Sequence, residues 1–452
     1  MTSSDAPSGT RAPFVRVVVV NYDGGPVTLR CLDALLATEH PVDRLEIVVV
    51  DNASIDGIAW KIREAYPRVR LIESDTNEGF ARGCNLAMRD LDGVDFVALI
   101  NNDAVVEPGW LAPLIDTCRT RGAGAACPKL LLNLWARVLL IESPVHGEVG
   151  GKKVGVRIVA ARAGEADMMP TARFDERFWA PWELDQGVGE PHWTKRSIAS
   201  VWWPITVCPE ADGLEVELDV TSPEGATLDL GDQRMHVPAG RHTVRLDGHS
   251  PRRIINSAGG GLYTEWFGGD RGFLEPDVGQ FDEPCEVFSW CGGAVLLSTD
   301  YLRDVGIFDP SYFLYYEDFD LSCRGRARGW TYWYDPRSIV LHEHALSSRE
   351  GSDFFVFWVD RNRRLTLVKN APLGVALRAV LGALIGALAQ LGRHTLASLR
   401  RGRPPSKSVV TSRLRNLGRL LSALPTALRS RRSINTSRVV SRAEMQRWMV
   451  TK

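Results

Sequence analysis

Four clusters of polar residues, each placed beside an apolar run, carry the chemistry this sequence could perform. Val19-Val20-Asn21-Tyr22-Asp23-Gly24-Gly25 and Val50-Asp51-Asn52-Ala53-Ser54 each close a β-branched stretch. A carboxylate there can accept from the imide N–H of uracil or thymine, and an aromatic such as Tyr22 can lie against a base. The same Asp and Asn types also suit helix capping. In Asn77-Glu78-Gly79-Phe80-Ala81-Arg82-Gly83-Cys84-Asn85 a glycine-flanked turn opens a helix. Such a turn presents backbone N–H groups, with Arg82 adding a charge for phosphate. Leu99-Ile100-Asn101-Asn102-Asp103 ends an apolar strand on one carboxylate. A hard divalent cation keeps waters and phosphate oxygens, so one or two protein ligands are enough. His342, after the Ile339–Leu341 run, is a candidate second ligand; His344 competes, and a structural histidine is the alternative. Phe313-Leu314-Tyr315-Tyr316-Glu317-Asp318-Phe319-Asp320-Leu321 sets three carboxylates within four residues at a helix start. Either they cap the helix, or one of them is a general base for a hydroxyl proton.

These clusters need a frame. Val15–Val20, Leu45–Val50, Val69–Ile72 and Phe96–Ile100 read as buried strands, with amphipathic stretches Val27–Leu36 and Phe80–Arg89 between them. The βαβα order predicts an open, mostly parallel sheet, in which ligands bind beyond the carboxyl ends of the strands. Asn21, Asp51 and Asn101–Asp103 all fall there.

From about Leu134 to Arg253 the period becomes two. Leu214, Val216, Leu218 and Val220 alternate with Glu215, Glu217 and Asp219, and turn residues punctuate the segment. That predicts an inserted antiparallel sandwich over residues 134–253. Six tryptophans (135, 179, 182, 193, 202 and 203) are expected to fill its core. Ala294–Leu297, Thr331–Tyr334 and Ile339–Leu341 read as strands afterwards, Asp318–Arg328 and Phe354–Val368 as helices.

Residues 371–452 read as a basic helical tail. From Arg393 onward 15 Lys and Arg face one acidic residue, a local +14 against a total of −1, which leaves −15 for residues 1–392. Leu373–Leu391 is nearly long enough to span a bilayer, but Arg378 and Gln390 interrupt it. Followed by Arg400, Arg401 and Arg403, it suits a helix lying in an anionic membrane interface, or one packed on the catalytic domain. The eight cysteines (31, 84, 118, 127, 208, 285, 291 and 323) show no metal spacing and read as reduced thiols. Met1–Pro13, without an apolar run, reads as a disordered leader, so the expected location is the cytoplasm, peripheral on the inner face of the membrane.

The order VVNYDGG, DNAS, NEGFARGCN, LINND, EPDVGQFDEP, WCGGAVLLS, FDPSYFLYYEDFDL and VLHEH resembles the family 2 glycosyltransferases, in particular the bacterial rhamnosyltransferase-like and galactofuranosyltransferase-like branch. The resemblance covers roughly Val15–Lys129 and Ile254–Asn370. It implies an α/β fold of the GT-A nucleotide-diphospho-sugar transferase type, spanning 14–133 and 254–370, with the sandwich as an insertion outside the usual pattern. It further implies that Asp51 binds the base and that Asp103 ends a DxD-type motif holding Mn²⁺ or Mg²⁺, completed by His342. Asp318 would be the catalytic base beside Glu317. Asn101 stands where many members carry the first Asp of that motif, and Asn102 lies in the same turn. Arg361-Asn362-Arg363 resembles a family run that either meets diphosphate or forms a solvated face.

The expected function is therefore inverting transfer from a UDP- or dTDP-sugar to a hydroxyl of a glycan or lipid-linked acceptor in cell-envelope polysaccharide synthesis, without nucleic acid as partner. The missing GxGxxG after the first strand argues against a nicotinamide enzyme. A sugar nucleotidyltransferase would want a basic residue within Asn21–Pro26, where none stands. A glycoside hydrolase would work with two carboxylates and no donor. The non-enzyme alternative is a carbohydrate-binding or scaffold protein on the same fold.

Overall fold

The computed structural model describes residues 11–179, 184, 192–207, 213–246, 249–343, 352–400 and 407–450. Most of the leader, Trp182, Cys208, His344, Arg401 and Arg403 lie outside the described residues. The chain divides into two compact units: residues 1–129, 259–271 and 283–452 form one, residues 130–258 and 272–282 the other.

In the first unit, strands β1 (Val15–Asn21), β2 (Leu45–Asp51), β3 (Val69–Glu73) and β4 (Phe96–Ile100) lie parallel in the order β3-β2-β1-β4. Strands covered on both faces need no polar alternation, and Val17, Val18, Val48, Val49, Ala98 and Leu99 are all essentially inaccessible. The crossovers carry α1 (Pro26–Leu36), α2 (Ile58–Ala65) and α3 (Gly79–Ala87), and α4 (Leu111–Arg121) and α5 (Thr299–Val305) come later in the chain. The strand order reverses between β1 and β4, which makes their carboxyl ends the crevice of the sheet. Strand Ala294–Ser298 adds antiparallel to β4, Ala294 opposite Ile100.

One expectation is corrected. Thr331–Tyr334 and Ile339–Leu341 belong to a single strand, Tyr332–His342. Its first residues pair with Cys285–Val287 and its last with β5 (Ala104–Val106). Pro336 lies between these two pairings, and the buried Asp335 beside it is held by Thr117 and Arg337.

The tail belongs to the first unit. Helix α7 (Asp353–Asn370) is flanked by α8 (Leu373–Arg400) and α9 (Lys407–Ser437). Arg419 lies over Phe357 toward one end of α7, and Arg431 donates to the carbonyls of Val368 and Ala371 at the other. Met449–Val450 pairs parallel with Gly260–Tyr263. Leu262, Phe319, Leu367, Ile434 and Met445 share one apolar cluster. Among the described residues no helix is long and apolar enough to cross a membrane.

The described strands of the second unit pair antiparallel. Val156–Ala163, Leu214–Val220 and Gly240–Arg245 form one sheet. Ile198–Pro204 and Ala226–Asp229 pair with the strand Ala125–Glu142 in another. Their inward residues, Leu139, Val201, Trp203, Ile158, Val216 and Leu218 among them, make one core. Trp193, Trp202 and Trp203 are buried as expected, but Trp135 is 42% exposed with the Arg253 guanidinium stacked over it. Neighbouring strand alternation points Trp135 outward, and the cation covers what the core does not.

Candidate active site

The parallel ladder ends on the pair Asn21 and Asp51. Asn21 Nδ2 donates to Asp51 Oδ1 at 2.8 Å and to Ser54 Oγ at 3.0 Å. Its Oδ1 accepts from Thr28 Oγ1 at 2.7 Å and from Asn102 Nδ2 at 3.0 Å, across the β1–β4 crevice. Ser54 returns two bonds to the Asp51 carboxylate. Asn21 and Asp51 are buried, and Tyr22 beside them is 45% exposed. Gly24 is confined by this network: a Cβ there would stand 2.3 Å from Asn102 Nδ2 and from Thr28 Oγ1. Asn52 donates to the Gly79 carbonyl at 3.1 Å, and its buried Oδ1 has no partner among the described residues.

The turn before α3 is built by Asn77, whose Oδ1 accepts from Gly79 N–H at 2.9 Å. Gly79 has φ +75°, and a Cβ there would meet the Phe313 carbonyl at 2.3 Å, so only glycine fits. Phe80 N–H donates to that same carbonyl at 2.8 Å. Arg82, expected to face phosphate, is engaged by the Pro310 carbonyl and by Glu78 one turn earlier.

Asp103 and His342 meet through sheet register. His342 pairs with Ala104 in the short ladder, and Glu343 N–H donates to the Asp103 carbonyl. The outcome is Asp103 Oδ1 at 2.9 Å from His342 Nε2, with Asn101 Nδ2 at 3.2 Å from the same nitrogen. Both side chains are largely buried. One carboxylate oxygen and one imidazole nitrogen at a strand-end loop form a donor set suited to Mn²⁺ or Mg²⁺ completed by diphosphate oxygens. Among the described residues no group of three or more His, Cys, Asp or Glu side chains forms a larger cage.

The three carboxylates opening α6 (Glu317–Ala327) have three different fates. Asp320 is fully buried and structural: Lys369 Nζ lies 2.6 Å from it, Arg324 Nε 3.0 Å and Asn370 Nδ2 2.9 Å. Glu317 is buried, with Oε2 unpartnered among the described residues. Burial, then the neighbouring Asp318 charge, holds it well above the carboxylate range. Asp318 is half-buried. Its Oδ2 accepts from Gly292 N–H at 2.9 Å and its Oδ1 from Phe319 N–H at 2.7 Å. Burial pushes it up to about 6, with Asp270 adding to the rise and the two N–H groups opposing it.

The entry into α6 is strained. Tyr315 and Tyr316 both take φ +69°, a left-handed conformation that bulky residues avoid. Asn362, fully buried on α7, donates through Nδ2 to the carbonyls of Leu314 at 2.8 Å and Tyr315 at 2.9 Å. Its Oδ1 accepts from Arg361, which also donates to the Ser311 carbonyl. The Arg361–Arg363 run is therefore neither a solvated face nor free for phosphate at its centre. Asn362 is a clamp on the turn that presents Asp318.

The sequence candidates thus fall into contiguous groups on one edge of the sheet. Asn101 N–H donates to the Gly293 carbonyl at 3.0 Å, and Gly292 N–H donates to Asp318. The Asn101–Asp103 loop and the Asp318 carboxylate flank one two-glycine turn. Thr28 stood outside the candidate residues, whereas Gly24, Asn52, Ser54 and Gly292 lay within the quoted motifs without a role of their own. Asn362 belonged to the Arg361–Arg363 run expected to meet diphosphate or to form a solvated face.

Residues 16–139 match the model of the family described as Glycosyl transferase family 2. Over 124 residues the chain is 34% identical to an N-acetylglucosaminyl-diphospho-decaprenol L-rhamnosyltransferase of Mycobacterium tuberculosis (strain ATCC 25618 / H37Rv), an alignment covering 25% of this chain and 39% of that protein. The chain thus spans about two fifths of that relative's length. Among solved structures it is similar to GalNAc-T7 with UDP, GalNAc and Mn²⁺, at TM-score 0.44 and 13% identity, over 80% of this chain and 48% of that one. It is also similar to the mannosyltransferase PcManGT from Pyrobaculum calidifontis in complex with GDP-Man and Mn²⁺, at TM-score 0.37 and 15% identity, over 93% and 89%. Residues 16–139 thus match a glycosyl transferase family 2 domain, and over 124 residues the chain is similar to the rhamnosyltransferase.

Proposed function

We propose that this chain is an inverting, metal-dependent glycosyltransferase that moves a sugar from a UDP- or dTDP-sugar to a hydroxyl of a glycan or lipid-linked acceptor, in cell-envelope polysaccharide synthesis. The observation that carries the reading is the Gly292–Gly293 turn, bonded on one side to Asp318 and on the other to the loop leading to Asp103. That shared turn supports reading the candidate base and the candidate cation ligand as parts of one site.

In this reading Asp51, oriented by Asn21 and Ser54, receives the base, and Tyr22 covers its ring. Asn77, Gly79, Asn101 and Asn102 shape the floor under the ribose and diphosphate. Asp103 and His342 would hold the Mn²⁺ or Mg²⁺. A divalent cation held there neutralises charge on the departing diphosphate. Asp318 takes the proton of the acceptor hydroxyl as its oxygen bonds to the anomeric carbon. The bond from that carbon to the diphosphate oxygen breaks on the opposite face, which inverts the centre. A carboxylate raised to about 6 is still ionised at neutral pH and is a stronger base than an ordinary aspartate; such assistance is typically worth about 10²–10⁴-fold. Asn362 acts through the Tyr315–Tyr316 turn, as a positioning residue. The basic tail is read as the part that meets an anionic membrane, which makes the enzyme peripheral on the cytoplasmic face.

The test is nucleoside diphosphate release from UDP-, dTDP- and GDP-sugars, with and without Mn²⁺, in the presence of acceptor glycans. Metal-dependent release from at least one donor is expected. Cleavage of oligosaccharide without any donor, or sugar binding without release from any donor, would remove the reading.

A further inference from the structure

Helix α8 turns its larger aliphatic side chains outward. Leu373, Leu377, Leu381, Ile385, Leu388 and Leu396 are 52–66% exposed. At roughly 100° per residue their spacing keeps them on one side of the helix. The inward side is made of smaller residues: Ala376 is buried, and Val375 and Ala379 pack on the cluster around Leu367, Phe319 and Ile434. A surface helix ordinarily shows the reverse, its apolar stripe facing the core. From Leu373 to Leu388 the outward stripe runs for about 22 Å, continuous rather than scattered.

Charge says what covers it. Between residues 361 and 443 there is no Asp or Glu, and there are 18 Lys and Arg. Arg378 and Arg393 are exposed on α8 itself. A second copy of this chain would bring the same cations against these, which a two-fold contact cannot avoid. An anionic lipid surface offers the complement to both features: head groups for the arginines, acyl boundary for the leucines. The helix is not one that crosses a bilayer, which leaves the in-plane arrangement.

We propose that α8 docks in the plane of an anionic lipid surface, with Leu377, Leu381, Ile385 and Leu388 inserted below the head groups and Arg378 and Arg393 at their level. This extends the tail reading above and is independent of sugar transfer. The test is co-sedimentation of the full chain, without donor, with phosphatidylcholine vesicles containing or lacking about one third phosphatidylglycerol. Binding is expected only to the anionic vesicles. The Leu381→Gln, Ile385→Gln double variant should bind about 30-fold more weakly or worse, also at low salt. Arg378→Gln with Arg393→Gln should weaken binding several-fold, mainly at low salt. Because the leucine and isoleucine are more than half exposed, that double variant should keep the native melting temperature. A Leu381→Gln, Ile385→Gln protein that binds like the native one overturns the insertion, even if the charge dependence, and with it the tail reading, survives. Absent vesicle binding together with a dimer abolished by the same double variant overturns the lipid assignment in favour of a second copy.

Discussion

Replacing Asn362 by alanine removes both donors that hold the carbonyls of Leu314 and Tyr315. Each neutral hydrogen bond contributes about 0.5–1.5 kcal/mol net, and a carbonyl left buried without a partner costs about 1–3 kcal/mol. The two consecutive left-handed tyrosines store about 1–3 kcal/mol each, strain that persists only while the surroundings impose it. The turn therefore has reason to relax once the amide is gone, and its relaxation limits the net loss of stability to about 2–4 kcal/mol. The larger effect should be on rate. Asp318 lies two residues past the turn, and a misplacement of about 1 Å in a reacting group costs about 10²-fold. The donor network of Asn21, Asp51 and Asn102 shares no bond with Asn362. Asn362→Ala should therefore lower kcat about 10²-fold while donor Kd, read by calorimetry, stays within about threefold. Asn362→Asp, similar in shape but acceptor-only against two carbonyls, should be no better. Urea unfolding and steady-state kinetics on the same preparations separate the two effects. An Asn362→Ala protein that loses stability but keeps its native kcat and pH profile would show that the clamp serves the fold alone.

Other consequences follow from the same geometry. Asp318, with its pKa raised to about 6, must be ionised to act, so kcat/KM should rise with pH through about 6 and level off above it. The folded chain keeps that proton over a range where the unfolded chain, with an aspartate near ~4, has released it. Stability should thus fall as pH rises from about 4 to 6, and Asp318→Asn should regain about 1–2 kcal/mol at neutral pH while abolishing transfer; a destabilised, inactive Asp318→Asn would contradict the linkage. Gly24→Ala forces a methyl against Asn102 and Thr28 and should weaken donor binding at least about tenfold, measured by calorimetry. Asp320→Asn leaves Lys369 buried with Asp309 as its remaining carboxylate partner among the described residues, and should cost about 3–5 kcal/mol in urea unfolding.

The parallel core was legible because its strands are buried on both faces, and continuous Val/Ile/Leu runs express that directly. The strand-end polar residues were legible for a related reason: Asn21, Asp51 and Asn101–Asp103 interrupt those runs abruptly. What local pattern could not reveal was pairing at long range. Asn101 and His342 are 241 positions apart, and only the ladder between Ala104–Val106 and Val340–His342 brings them together. Among the three carboxylates of α6, spacing alone could not separate the ion-paired Asp320 from the half-buried Asp318. The clamp was invisible for a different reason. A left-handed turn is normally advertised by glycine or asparagine, and here two tyrosines occupy it. Nothing at 315–316 asks for a buried amide from α7, so Asn362 read as part of a basic run meeting either diphosphate or solvent. Trp135 was assigned to the core by residue type, whereas its position on the strand decided its exposure.

The most direct test of the central claim is titration of the preferred nucleoside diphosphate, with and without Mn²⁺, into the native chain, Asp103→Ala and Asp318→Asn. Metal-strengthened binding in the native protein and in Asp318→Asn, together with its loss in Asp103→Ala, is the expected pattern. Equal affinity with and without metal in all three proteins would contradict it.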